Sequence, residues 1–102
     1  MEVHIDPQTA GVLRSKRPEP QAGLRLAALN EGCGCGADVW FEMNWDSPRS
    51  DDISLKTEGI TVLIDPRSRE FFDPVLMVSH QLEKDAFSLK SRNQIYLNHI
   101  HL

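Results

Sequence analysis

The segment Gly32-Cys-Gly-Cys-Gly36 holds the most reactive chemistry in the sequence. Cys33 and Cys35 are the only two cysteines, one residue apart, and Gly32, Gly34 and Gly36 frame them. Glycine lets a backbone pass through positive φ and approach a bound group closely. Thiolate is the soft ligand that iron–sulfur centres and zinc select, and the N–H groups of such a loop can donate to an anionic cluster. A complete metal site takes about four ligands, so two thiols need histidines, carboxylates, a small molecule or a second chain beside them. Two other readings stay open on the residues alone. Cys-x-Cys closes into a disulfide only as a small strained ring that is easily reduced, which suits thiol redox and not a structural bridge. The segment also reads as a plain glycine-rich turn carrying two small apolar side chains.

The four histidines are His4, His80, His99 and His101. His99-Ile-His101 puts two imidazoles on one side of an extended tail, a spacing suited to metal; the competing reading is a loose chain end. His4 and His80 fall within strand patterns and are expected to be hydrogen-bonded structural residues. Other templates fail. There is no phosphate-binding loop, no nucleophile-elbow serine and no His-Glu-x-x-His pattern. Asp51-Asp52 and the pair Glu83 and Asp85 occupy polar turns, where solvated charge is the default. Trp40, Trp45, Phe71 and Phe72 are too few and too surrounded by acids for a base-stacking platform, and are expected in the core or at an oligomer contact.

Composition narrows the classes further. At roughly 100–200 residues per domain, 102 residues make one domain, residues 1–102. With 11 basic and 15 acidic residues the net charge is −4, which gives no footprint for nucleic acid and none for an anionic membrane. No apolar run approaches the roughly 20 residues of a membrane span. Met1-Glu-Val-His-Ile5 lacks the basic and apolar start of a signal peptide. The expectation is a cytoplasmic protein whose cysteines stay reduced.

The elements that must position the cysteines follow from local signals. Val3–Ile5 alternates as a short strand. Asp6-Pro7 starts a helix, with a carboxylate cap followed by proline at the first helical position, and Pro18 and Pro20 end it. Gly23–Leu29 is a strand leading into the glycine loop, and Asp38–Asn44 is a strand leading out. Asp46–Asp52 reads as a surface loop. Ile53–Thr57 and Ile60–Ile64 form a hairpin around Glu58-Gly59. Asp65-Pro66 repeats the helix-start signal, for a short helix over Arg67–Phe72. Val75–Gln81 and Ala86–Lys90 form a second hairpin, and Gln94–Leu97 a final strand. The fold class is α+β: a mostly antiparallel, sandwich-like core, one N-terminal helix covering part of one face, and one short connecting helix. Val39, Phe41, Ile60, Val62 and Ile64 are the expected core.

In this order the elements resemble the A-type iron–sulfur carrier, or HesB-like, core domain. Gly23-Leu-Arg-Leu followed by Glu31-Gly-Cys33 is similar to that family's strand and first cysteine loop. The stretch Asp52-Ile-Ser-Leu-Lys-Thr-Glu-Gly-Ile-Thr-Val-Leu-Ile-Asp65 resembles its central hairpin, Ser68 to Asp73 its short helix, and the run to Phe87-Ser-Leu89 its closing hairpin. The resemblance spans about Val3 to Leu97. Typical members add a Cys-Gly-Cys pair in the C-terminal tail. Here Cys33 matches the first cysteine position, Cys35 is additional, and the tail Asn98-His-Ile-His-Leu102 has no cysteine. His99 and His101 fall within a residue or so of the missing pair.

The resemblance implies a non-enzymatic protein that binds iron or a [2Fe–2S] cluster in cluster assembly or transfer. Cys33 and Cys35 would be the thiolate ligands, with His99 and His101 as secondary candidates. The implied partners are cluster-assembly or recipient proteins, and a homodimer, since two chains supply the four thiolates such a cluster takes. The competing expectation is a fold of this type that has lost metal binding and serves as an interaction or regulatory domain.

Overall fold

A computed structural model describes residues 1–30 and 39–102, with the backbone alone at residue 30. The elements are β1 (Glu2–Ile5), α1 (Pro7–Lys16), β2 (Gly23–Asn30), β3 (Val39–Asp46), β4 (Ile53–Thr57), β5 (Ile60–Ile64), α2 (Pro66–Arg69), β6 (Val75–Gln81), β7 (Ala86–Lys90) and β8 (Ile95–Ile100). Both helices start as the sequence signals. The Asp6 carboxylate accepts the Thr9 N–H at 2.8 Å and the Asp65 carboxylate accepts the Ser68 N–H at 2.9 Å. Each carboxylate thus satisfies one of the amides that a helix start leaves free. The β4–β5 turn is built on Glu58 and Gly59 with φ of 52° and 77°, the doubly positive conformation whose twist suits a two-residue hairpin.

Two four-stranded sheets face each other, ordered β1-β6-β7-β8 and β3-β2-β5-β4. Most pairings are antiparallel, but β1 runs parallel to β6 and β2 runs parallel to β5. Strand alternation then delivers one face of each sheet to a shared core. Val3, Ile5, Leu76, Val78, Phe87 and Leu89 come from the first sheet, and Leu24, Leu26, Met43, Ile60, Val62 and Ile64 from the second. α1 packs on β6 of one sheet and β5 of the other, with Ala10 and Leu13 wholly enclosed. It closes the gap between the sheets instead of covering one face.

Several expectations need correction. Val39 and Phe41 are half-buried, and Met43 is the enclosed residue of β3. β3 is an edge strand, so its first residues are covered from one side only. β3 also runs on to Asp46, because Gly23 at the start of β2 pairs with Asp46 across the ladder. The helix after Asp65 ends at Arg69, before Phe72. The C-terminal residues are not a loose tail: β8 extends to Ile100, which pairs with Phe87 of β7.

Candidate functional site

The segment Gly32-Cys33-Gly34-Cys35-Gly36, and with it every cysteine, lies outside the described residues. What the structure gives is its stem. The last cross-strand pairs of β2 and β3 are Ala28 with Phe41, Leu29 with Trp40, and Asn30 with Val39. The stem is tied down from below. Buried Ser68 accepts the Ala28 N–H at 3.0 Å and donates to the Asp65 carboxylate at 2.7 Å. Burial pulls the Asp65 pKa upward, but hydrogen bonds from the Ser68 hydroxyl and amide outweigh it and hold the group below the usual carboxylate range. Phe41 joins Phe72 and Tyr96 in a three-ring cluster with centres 4.8–5.3 Å apart, a spacing favourable for aromatic pairs. Leu29, Trp40 and Phe71 are exposed. Leu29 and Phe71 line one open depression of about 390 Å3 with Arg67 and Glu70. The two strands that carry the cysteine segment therefore end in a stem anchored at Ala28 and Phe41, with the exposed apolar side chains of Leu29, Trp40 and Phe71 beside it. Phe72 sits in the core as expected, while Trp40 and Phe71 face solvent.

The tail histidines lie elsewhere. Arg17 donates to the Gly59 carbonyl at 3.3 Å, which sets the C-terminal end of α1 at the β4–β5 turn. Lys16, in that last helical turn, pairs with Asp85 at 2.9 Å. The Asp85 carbonyl in turn accepts from His101 Nδ1 at 3.1 Å. β2 starts at this same end, since Leu24 lies beside Val62 of the parallel β5. It then runs to Asn30, roughly 20 Å further at about 3.3 Å per residue. The loop stem and the tail histidines are thus at opposite ends of β2. The rings of His99 and His101 do meet, with centres 4.9 Å apart.

The other two histidines differ from each other. His80 is enclosed, with 3% of its side chain exposed; its Nε2 lies 2.9 Å from the Asp85 carboxylate and its ring packs on Phe87 at 4.7 Å. Its Nε2 is hydrogen-bonded, as expected, while its Nδ1 is buried with no hydrogen-bond partner among the described residues. His4 is exposed, with its Nε2 3.1 Å from the Glu2 carboxylate. Among the described residues, no group of three or more His, Cys, Asp or Glu converges as a metal site.

Sequence reasoning missed a buried polar constellation among the described residues. Arg25, in the middle of apolar β2, is 8% exposed in its side chain and grips Asp52, which is wholly enclosed. The Arg25 Nε also donates to Asp46 at 2.6 Å, and Nη2 reaches the Ser47 carbonyl at 3.2 Å. Asp52 is therefore not a solvated turn charge, in contrast to the expectation from its polar setting. Hydrogen bonds from Arg25 hold its pKa below the usual range against the burial that raises it, and the Arg49 amide adds to the effect. The signal was present: a lone arginine in an apolar strand, followed by a loop bearing Asp46, Asp51 and Asp52.

Comparison with known proteins now bears on this geometry. A family model described as iron–sulphur cluster biosynthesis matches residues 1–102. No curated protein matches the sequence. Among solved structures, the chain is similar to the crystal structure of Escherichia coli SufA involved in biosynthesis of iron–sulfur clusters. That match has a TM-score of 0.66 and 16% identity, covering 92% of this chain and 89% of that one. At that identity the likeness shows the two-sheet fold alone. The family model spans the whole chain, from β1 through the cysteine segment to the tail histidines, and on that ground the chain belongs to the iron–sulphur cluster biosynthesis family.

Proposed function

We propose that the chain, acting as a single domain, carries iron or a [2Fe–2S] cluster as cargo during cluster assembly or transfer. The observation that carries this reading is the match of the whole chain to the family model, joined to a Cys-Gly-Cys segment on a strand hairpin that Ser68 and the aromatic cluster hold in place. Cys33 and Cys35 are the proposed ligands. Their thiolates suit the soft cargo, and Gly32, Gly34 and Gly36 allow the backbone to fold around it. Two thiolates per chain are half of what a [2Fe–2S] cluster takes, so a second copy completes the set. The exposed residues Leu29, Trp40 and Phe71 beside the stem offer an apolar surface for that copy or for a recipient protein. The chain carries and hands over, with no bond-making step of its own. No helix among the described residues is long and apolar enough to cross a membrane, and a reducing cytoplasm is the setting in which the thiols remain available.

The test is anaerobic reconstitution with iron and sulfide. The wild-type chain is expected to gain charge-transfer colour, acid-labile sulfide and the mass of a dimer. The Cys33→Ser, Cys35→Ser chain is expected to gain none of them. A double variant that still takes up iron and sulfide like wild type refutes the cysteine site. A colourless wild type favours the rival, a family fold that has become an interaction or regulatory domain.

A further inference from the structure

The structure assigns a second metal-ion site, separate from the cysteine segment, to His99 and His101. Two imidazoles bound to one tetrahedral ion at about 2.0–2.1 Å have ring centres about 5 Å apart; these two stand at 4.9 Å with their planes at 81°, an edge-to-face pair that a small ring rotation would turn into a chelate. His101 is already oriented as a ligand. Its Nδ1 lies 3.1 Å from the Asp85 carbonyl oxygen, which can only accept, so Nδ1 carries the proton and Nε2 presents its lone pair. A ligating histidine typically has its second nitrogen tied to a carbonyl or carboxylate in this way. The orienting residue is itself fixed: the Asp85 carboxylate is held between Lys16 and His80, each at 2.9 Å. His99 has φ of 70°, the left-handed region, at a strand end where an extended residue would set the two side chains about 7 Å apart. The other non-glycine residues with positive φ among the described ones, Glu58 and Asp85, belong to turns.

A pair of imidazole ligands selects a divalent transition ion of borderline softness, such as zinc, nickel or copper, over magnesium or calcium. No third His, Cys, Asp or Glu joins them among the described residues, so water fills the remaining positions. Both histidines are exposed. The site is therefore an exchangeable one and not a structural zinc centre. It lies at the end of β2 away from the loop stem.

Calorimetric titration of Zn2+ into the full-length Cys33→Ser, Cys35→Ser chain tests this without competition from thiols. One zinc per chain is expected, with no uptake of magnesium. His101→Ala is expected to weaken zinc binding by at least about tenfold, the least that even loss of an orienting partner costs such a site. His99→Asn should do the same, and asparagine tolerates the left-handed backbone. Nuclear magnetic resonance should show zinc shifting the ring signals of His99 and His101 and leaving those of His4 and His80. No zinc uptake, unchanged affinity in both histidine variants, or shifts at His4 instead would each overturn the assignment. Because the cysteines are absent from this experiment, its outcome is independent of the cluster reading.

Discussion

Arg25 lays both terminal nitrogens of its guanidinium on the Asp52 carboxylate, at 2.8 and 2.6 Å, across 27 residues of sequence. The Asp52 side chain is fully covered and that of Arg25 is 8% exposed. The pair ties the inner strand β2 to the loop that leads into edge strand β4. Breaking such a pair from one side strands a buried charge, at a cost of about 3–5 kcal/mol. Asp52→Ala should lower the unfolding free energy by less than that in urea denaturation, because Asp46 still accepts from Arg25 Nε at 2.6 Å. The double variant Arg25→Met, Asp52→Leu removes both charges and should recover most of the loss. A double variant no more stable than Asp52→Ala would show that the pair contributes more than mutual neutralisation.

Acid should unfold the protein partly through the same pair. The folded-state pKa of Asp52 is lowered from 3.8, first by the Arg25 hydrogen bonds. A carboxylate depressed in the folded state stabilises it at all pH above its unfolded value, and that stability is lost as pH falls through the folded value. Asp46 shifts the same way, through the Ser47 amide and then Arg25. The melting temperature should hold steady from neutral pH down to about 4 and fall below that. In the Arg25→Met, Asp52→Leu variant the acid fall should be shallower. An equal fall in both proteins would assign the acid sensitivity to the remaining carboxylates.

Core substitutions should separate the two aromatic sites. Phe87 is wholly enclosed at the centre of the first sheet, whereas Phe41 is half-buried on edge strand β3. Phe87→Ala should cost about 3–5 kcal/mol, the range for emptying an aromatic core position. Phe41→Ala should cost less, because part of its surface already meets water. Chemical denaturation of both variants checks the order.

The two proposed metal sites should respond independently. Cys33→Ser alone should remove most of the iron bound after anaerobic reconstitution, since half a chelate leaves the metal to water. His99→Asn and His101→Ala should leave cluster content within error of wild type, because the tail lies roughly 20 Å from the loop stem at about 3.3 Å per strand residue. Iron and acid-labile sulfide assays on the reconstituted variants decide this; a fall in the histidine variants would join the tail to the cluster.

The sequence by itself determined what depends on neighbours within a few residues. Asp6 and Asp65 cap helices three residues ahead of them, Glu58-Gly59 sets a turn by its own dihedral angles, and period-two alternation marks the strands. The proposal for the cysteine segment rests on the same local ground, since ligand type and backbone freedom are properties of the residues themselves. The tertiary structure alone decided which distant residues meet. Glu2 to Ile5 run alongside Val75 to Val78, Arg25 closes on Asp52, and His101 is held by the Asp85 carbonyl. Asp52 reads as an ordinary turn acid until sheet order brings β2 beside β5 and encloses it under Arg25. The tail reads as a loose end until β7 supplies the open strand edge that orders it to Ile100. Such contacts depend on the order and direction in which strands pair, and a local pattern carries no record of either.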